Sequence, residues 1–271
     1  MPSPQPWQPL LRGAQPCDHI VQLYTDEAFL TRAVTQFIGA GLLAGEAAAI
    51  IATPRHISAF ELQLGTMVDV ADARVRDQLI VFDAEASLAG LMVDGQPDRE
   101  VFRAFVSAIL DRAQVAGNGQ VRLFGEMVNL LCDRDPEATA HLESLWNEVI
   151  AERRVSLLCA YRLDNFDRHV HRGLLHQISR SHSHVVPVEH YHRLESAVDR
   201  AYREVFGAEG DTASLRDLLV AGVAPSPVMP SAQAALIALR GLRTDIADAV
   251  LERARHYYTA PIDLGPSPLK F

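Results

Sequence analysis

The chain has 271 residues, of which 48% are hydrophobic and 22% are charged, a composition typical of a globular protein. The formal net charge is −9, from 25 basic and 34 acidic residues, which argues against a broad basic surface for nucleic acid or anionic lipid. Lys270 is the single lysine. Because a P-loop and a Schiff base both need a lysine within the fold, the sequence disfavours both kinds of chemistry.

The three cysteines, Cys17, Cys132 and Cys159, are widely spaced and form no CxxC pair. This pattern favours reduced thiols in the cytoplasm over a disulfide framework. Cys132 and Cys159 lie in apolar runs, so we expect them to be buried and unreactive. Residues 1–16 form a Pro-rich leader that lacks the basic start and apolar run of a signal peptide. No stretch approaches the ~18 apolar residues of a membrane span, and we expect a cytoplasmic protein without membrane contact.

The order of the predicted elements up to about residue 165 indicates an α/β fold. An alternating segment predicts the first strand, and Thr25 or Asp26 follows it as a candidate N-cap of a helix. A continuous apolar run predicts a second strand that is buried on both faces. Strands and helices continue to alternate, which predicts a parallel sheet of about five strands covered by helices on both faces. The predicted strands are 19–24, 47–52, 79–82, 121–124 and 155–161.

The strand pattern nearly disappears after Phe166, and the remaining chain is predicted to be helical. Apolar residues recur there at helical spacing, so we expect amphipathic helices whose apolar stripes pack on the preceding domain or on another subunit. From Glu189 to the end there are 9 basic and 11 acidic residues, which argues against direct nucleic-acid binding. We expect residues 193–271 to bind a regulatory protein partner or to form a homodimer. The predicted helices are 169–181, 189–206, 214–220, 231–240 and 245–257.

Ligands of open parallel sheets bind beyond the carboxyl ends of the strands, where the sequence places Tyr24 and Glu126. The turn 24–27 is too short for a phosphate loop and carries two carboxylates, so a nucleoside triphosphate is disfavoured there. Glu126 directly follows a strand, where a buried carboxylate needs a partner. It is either a ligand-facing acceptor or a carboxylate bound to Arg122, Arg162 or a helix N-terminus.

The histidines are concentrated in one segment, because seven of the eleven lie within residues 169–192. Their spacing matches neither HExxH nor a zinc finger, so we expect no metal site and no cofactor. A joint that responds to pH remains a second interpretation, since histidine changes charge near neutrality. The seven histidines are His169, His171, His176, His182, His184, His190 and His192.

Five parts of the chain together resemble the MEDS sensory domain, which occurs in bacterial and archaeal signalling proteins and transcription regulators. The resemblance covers about residues 17–192 and depends on the order of the segments. These are His19-Ile-Val-Gln-Leu-Tyr24; Gly41-Leu-Leu-Ala-Gly-Glu46; Phe124-Gly-Glu-Met-Val128 with Leu142-Glu-Ser-Leu-Trp-Asn147; Leu157-Leu-Cys-Ala-Tyr161; and Ile178-Ser-Arg-Ser-His-Ser183 with Val186-Pro-Val-Glu189.

The resemblance implies a non-catalytic sensor that binds a small, hydrocarbon-derived molecule and relays a signal. It also implies a RecA/KaiC-like core with a degenerate P-loop, in which the turn 24–27 replaces the phosphate loop. Ser179 stands where many relatives have cysteine, which argues against thiol-dependent sensing here. The ligand-binding residues implied by the motif positions are His19, Tyr24, Glu126, Tyr161 and His182.

Two other functions remain open from the residues. The first is a small-molecule enzyme in which Glu126 acts as general base with His19 or His182, which requires a carboxylate and an imidazole ~3 Å apart. The second is an interaction scaffold whose cavity is filled by side chains. For all three functions we divide the chain into the leader 1–16, a MEDS-like sensory domain 17–192 and a helical C-terminal segment 193–271.

Overall fold

The computed structural model describes residues 5–261 except 133, 169, 171, 172, 208–216, 219 and 222–227. Most of the predicted helix 214–220 and the start of the predicted helix 169–181 therefore lie outside the described residues. Among the described residues, no helix is both long enough and apolar enough to cross a bilayer.

In the part of the chain that the structure describes, eight strands form a six-stranded sheet and a two-stranded hairpin. The order in the large sheet is β3-β2-β6-β7-β1-β8, and every neighbouring pair is parallel. The short antiparallel pair β4-β5 forms the hairpin. The strands are β1 His19–Tyr24, β2 Ala47–Ala52, β3 Leu79–Asp83, β4 Met92–Val93, β5 Gln96–Pro97, β6 Val121–Gly125, β7 Val155–Arg162 and β8 His184–Val185.

Helices cover both faces of the large sheet, as the alternating sequence pattern predicts. One face packs against α1 to α4, and the other packs against α5 to α9. The helices are α1 Trp7–Arg12, α2 Glu27–Leu43, α3 Pro54–Leu64, α4 Val70–Val75, α5 Ala84–Leu91, α6 Arg99–Ala116, α7 Met127–Cys132, α8 Pro136–Glu152, α9 Leu174–Ser181, α10 Tyr191–Phe206, α11 Ser231–Ala238 and α12 Thr244–Thr259.

The α/β class and the five predicted strands are confirmed, and the structure adds β8 at one edge of the sheet. This strand has two residues, and it pairs with β1 through Ile20 and Val21. A segment of two residues is too short to show an alternating pattern. Its extended conformation depends on the neighbouring strand, so the sequence alone does not predict it. Of the two predicted N-caps for α2, Asp26 is the one that caps the helix.

The Pro-rich leader contains a helix that belongs to the core. In α1, Trp7 and Leu11 are buried, and the Trp7 ring meets Phe29 of α2 edge to face at a centroid distance of 5.5 Å. The leader therefore covers part of one face of the sheet.

The C-terminal helices bury their apolar stripes within the chain. Leu194, Val198 and Tyr202 of α10 pack with residues of α11 and α12 in a separate apolar cluster. Phe166 and Val188, which precede α10, belong to the same cluster. The stripes therefore pack mainly on one another, together with Phe166 and Val188 of the predicted sensory domain, and packing on another subunit stays a prediction.

The contacts of Arg122 explain why the segment Gly41-to-Glu46 begins with glycine and ends with glutamate. Its guanidinium is buried in β6, lies 2.6 Å from Glu46 Oε2, and donates to the carbonyls of Leu11 and Phe37 at 2.8 and 3.1 Å. A Cβ at Gly41 would lie 2.6 Å from Arg122 Cδ. Glycine is therefore needed in the last turn of α2 so that the arginine can reach these partners.

We predict that Gly41→Ala lowers the free energy of unfolding by about 1–3 kcal/mol, because the new methyl group forces a buried, hydrogen-bonded side chain to move. Gly90→Ala in α5 is the matched control, since nothing lies within 4 Å of its added Cβ. The control should be neutral or stabilising by up to about 1 kcal/mol through helix propensity. Urea denaturation measures both variants, and equal effects would contradict this role of Gly41.

Candidate functional site

Four buried side chains from different parts of the chain converge on one face of the sheet. His19 comes from β1, Glu143 from α8, Cys159 from β7, and His182 follows α9. One nitrogen, sulfur or oxygen atom from each residue lies within 4.8 Å of the corresponding atoms of the others. We call these four residues the buried cluster. The parallel pairing of β1 with β7 brings His19 and Cys159 together, although 140 positions separate them.

The contacts within the buried cluster are short. His19 Nε2 lies 3.4 Å from Cys159 Sγ and 3.4 Å from Glu143 Oε2. His182 Nε2 lies 3.5 Å from Glu143 Oε1, and the two imidazole rings have a centroid distance of 4.0 Å. Two imidazoles, a carboxylate and a thiol at this separation are chemically able to hold a metal ion.

Residues around the buried cluster fix the orientation of its side chains. His19 Nδ1 is 2.9 Å from Asn147 Oδ1, and His182 Nδ1 is 2.7 Å from the Ile178 carbonyl. Both partners accept hydrogen bonds, so Nδ1 of each ring carries the proton and donates it. The Tyr161 hydroxyl donates to Glu143.

Burial disfavours charge on all four members of the buried cluster. Desolvation lowers the pKa of His19 to about 4, the neighbouring His182 adds to this effect, and Glu143 opposes it. Desolvation also lowers the pKa of His182 to about 4. The same burial raises the pKa values of Glu143, Cys159 and Tyr161. Both imidazoles are therefore neutral near pH 7, which is the form that binds metals.

A second arrangement lies at the carboxyl edge of the sheet. The Glu126 carboxylate follows β6, is almost completely buried, and accepts a hydrogen bond from the backbone N–H of Thr53 at the start of α3. Its other oxygen lies 2.6 Å from His56 Nδ1. His56 Nε2 lies 2.5 Å from Glu27 Oε2 in α2. We call Glu27, His56 and Glu126 the edge triad.

The two carboxylates of the edge triad stabilise a positive charge on His56. Its pKa is raised, first by the hydrogen bond to Glu126, and the contacts with Glu27 add to this effect against the desolvation of the ring. Glu126 is thus bound at a helix N-terminus and to a histidine, whereas Arg122 is paired with Glu46. The helix N-terminus is one of the partners that the sequence left open for Glu126.

A cleft of about 400 Å³ lies where the carboxyl ends of β1 and β7 face the C-terminal helices. Two of the lining residues, Arg255 of α12 and Asp164, form an ion pair with 2.6 Å between guanidinium and carboxylate. Burial, followed by the charges of Glu126 and Glu27, raises the pKa of Tyr24, so its phenol is neutral. The lining includes Tyr24, Phe29, Phe166, Leu194, Arg255 and Tyr258.

The five predicted ligand-binding residues therefore divide among three places. His19 and His182 belong to the buried cluster, and Tyr161 donates to it. Tyr24 lines the cleft, and Glu126 belongs to the edge triad.

The sequence reasoning missed the partners of these residues. Glu143 and Asn147 lie four residues apart in α8, and this helical spacing within the motif Leu142-to-Asn147 is the signal that would have found them. No role was assigned to His56 from the sequence, and Glu27 was considered only as one of the two carboxylates that disfavour a phosphate in the turn 24–27.

The fold and these sites define an α/β domain with a mostly parallel sheet and polar groups at its carboxyl edge. A family model described as "MEDS: MEthanogen/methylotroph, DcmR Sensory domain" matches residues 18–183, more than half of the chain. The chain belongs to this family of sensory domains. A search of curated proteins and a search of solved structures each find no match.

We predict that replacing His56 by asparagine destabilises the protein more near pH 6 than near pH 9. A raised pKa means that the stabilisation is fully present below the ordinary histidine value of about 6.5 and is lost as the pH rises through the folded-state value. Urea denaturation of both proteins at the two pH values gives the difference in unfolding free energy.

His141→Asn, at an exposed position of α8, is the matched control and should show little pH dependence. A destabilisation by His56→Asn that is constant or that grows with pH would contradict the proposed charge on His56.

Proposed function

We propose that this protein is a non-catalytic sensory domain of the cytoplasm that binds a small, mainly uncharged and hydrocarbon-derived molecule in the cleft. The observation that carries the proposal is the position of the cleft, between the carboxyl ends of two central strands and the C-terminal helices. Such crevices are the usual ligand sites of open α/β sheets. Aromatic and aliphatic side chains contribute to the lining, and they suit an apolar guest.

We propose further that the sheet is a RecA/KaiC-type core whose phosphate site is replaced by a carboxylate. Only Thr25 and Asp26 connect β1 to α2. Asp26 Oδ1 accepts hydrogen bonds from the backbone N–H groups of Ala28 and Phe29, at 2.7 and 3.4 Å. These first-turn N–H groups would otherwise be available to a phosphate, and the Asp26 charge repels anions. This supports a neutral guest over a nucleotide.

The geometry gives less support to an enzyme with Glu126 as general base. Glu126 contacts His56, whereas His19 and His182 contact Glu143. Both ring nitrogens of His56 are bound to carboxylates, so neither has a free lone pair for a substrate proton. The scaffold alternative expects a cavity that is filled by side chains, and it receives less support because about 400 Å³ of the cleft is left open.

The relay that we propose runs through α12. Arg255, Tyr258 and Thr259 of this helix line the cleft together with Tyr24 from β1. A ligand that contacts both α12 and β1 favours the conformation in which these two elements are closest. Its binding can therefore shift the C-terminal helices. We propose that a regulatory protein or a second copy of the chain reads this shift, without direct contact to nucleic acid or membrane.

We predict that at least one small alcohol, ketone, aldehyde or halogenated hydrocarbon at millimolar concentration raises the melting temperature. Binding to the folded state alone adds about 2.7 kcal/mol of stability when the ligand is at 100 times its Kd. Thermal denaturation of the full chain measures the shift. ATP and GTP serve as anionic comparisons and should give none.

Thr25→Trp places an indole at an exposed residue that lines the cleft, and it should abolish the stabilisation by the active compound. Thr66→Trp, at an exposed turn after α3, is the matched control and should preserve it. A complete lack of stabilisation, an unchanged response of Thr25→Trp, or tight binding of ATP or GTP would overturn the proposal.

We also predict that the active compound slows amide hydrogen exchange in α12, because it holds Arg255 and Tyr258 against the sheet. Helix α6, which does not line the cleft, provides the internal comparison and should be unchanged. Uniform slowing in both helices would indicate general stabilisation and would argue against a relay through α12.

A further inference from the structure

The buried cluster brings together four side chains that can bind a metal ion, and packing of the core alone does not explain why they converge. His19, Glu143, Cys159 and His182 are each no more than 3% exposed, and their donor atoms face one another. We propose that these four residues form a closed, tetrahedral binding site for one Zn²⁺ ion.

The spacing of the donor atoms suits such an ion. Zinc bonds of about 2.0–2.1 Å to nitrogen or oxygen and about 2.3 Å to sulfur, at tetrahedral angles, place neighbouring donors about 3.3–3.6 Å apart. His19 Nε2 lies 3.4 Å from both Cys159 Sγ and Glu143 Oε2, and His182 Nε2 lies 3.5 Å from the other carboxylate oxygen, Oε1. The four donor atoms, one from each residue, all lie within 4.8 Å of one another. Small movements of the side chains would complete the tetrahedron.

The surrounding hydrogen bonds direct lone pairs toward the centre. Asn147 and the Ile178 carbonyl accept the Nδ1 protons of the two imidazoles, which leaves both Nε2 atoms as acceptors facing inward. Asn147 is itself held, because its Nδ2 donates to the Ser181 carbonyl at 3.0 Å. This outer layer is characteristic of histidine ligands in metal sites.

Two of the inward atoms lack a hydrogen-bond donor among the described residues. They are Glu143 Oε2 and His182 Nε2, both buried. Buried polar atoms without partners are costly and require an explanation. Apart from the Tyr161 hydroxyl, which donates to Glu143, only the thiol hydrogen and a carboxyl hydrogen on Glu143 are available to the converging acceptors, whereas one cation would bind a donor atom of each residue at once.

Charge and chemistry select the metal. A thiolate and a carboxylate together balance a dication, so the filled site is neutral, as its burial requires. Nitrogen, oxygen and sulfur donors in a four-coordinate arrangement favour Zn²⁺ over Mg²⁺ and Ca²⁺, which take six or more oxygen ligands. With four protein ligands, no coordination position is left for a substrate, which is typical of a structural site.

The proposal is independent of the ligand in the cleft. The expectation of no metal came from histidine spacing within residues 169–192, but the cluster takes only His182 from that segment. None of its four residues lines the cleft. Failure of either proposal therefore leaves the other in place.

Metal analysis of the full chain, purified without a polyhistidine tag, tests the site. We expect about one zinc ion per chain, and a lower melting temperature after the metal is removed by a chelator that Zn²⁺ alone restores. Replacement by Co²⁺ should give the visible bands of tetrahedral cobalt and a near-ultraviolet band from the thiolate.

Cys159→Ala should abolish the thiolate band, whereas Cys132→Ala, at another buried cysteine, and Cys17→Ala, at an exposed one, should retain it. Asn147→Ala should weaken Zn²⁺ affinity about 10–100-fold, because it frees the His19 ring. Glu143→Gln keeps the side-chain shape and provides a second ligand variant if Cys159→Ala does not fold. It should also weaken Zn²⁺ binding.

Four results would overturn the proposal. The first two are a folded chain that binds neither Zn²⁺ nor Co²⁺ stoichiometrically and a thiolate band that persists in Cys159→Ala. The third is Zn²⁺ affinity that is unchanged in both Asn147→Ala and Glu143→Gln. The fourth is loss of the bound zinc in Cys17→Ala, which would indicate a surface site.

Discussion

The parallel pairing of β1 with β7 is the constraint on which the rest of the molecule depends. The register joins His19 to Leu157 at one end and Tyr24 to Arg162 at the other, between strands separated by more than 130 residues. Because side chains alternate across a strand, this register places His19 and Cys159 on the same face of the sheet. It also brings the carboxyl ends of both strands to one edge, where the cleft lies.

The polar groups around this pair of strands are satisfied in two different ways. In the buried cluster, desolvation dominates, so the imidazoles lose their charge and the carboxyl and thiol groups are pushed toward their neutral forms. In the edge triad, the pKa of a histidine between two carboxylates is raised, because the hydrogen bonds outweigh the partial burial. The same side-chain type is thus neutral inside the sheet layer and favours a charge at its edge.

The sequence predicts the strands well, because buried parallel strands such as 47–52 are continuous apolar runs that need no partner to be recognised. It predicts β8 poorly, because those two residues are extended through their pairing with β1 and, at His184, with Val228. Glu143 could not be predicted from composition, since a glutamate in an amphipathic helix usually faces solvent. Its burial follows from the face that α8 turns toward β7, where Tyr161 donates to it. Family motifs located His19 and His182, but only the tertiary fold shows which residues they contact.

The positions of the two proposed sites along β1 suggest how rigidity and response are divided. His19 and Tyr24 are five residues apart, which is about 17 Å along a strand. The buried cluster links β1, β7, α8 and the end of α9 at one end of this strand, whereas the cleft joins β1 to α10 and α12 at the other. An ion in the cluster would hold the sheet and its two helices in one arrangement. Binding energy from a guest in the cleft would then act on the C-terminal helices, because the sheet beneath them could not yield. A rigid sheet and movable C-terminal helices would together let a ligand in the cleft change a distant surface.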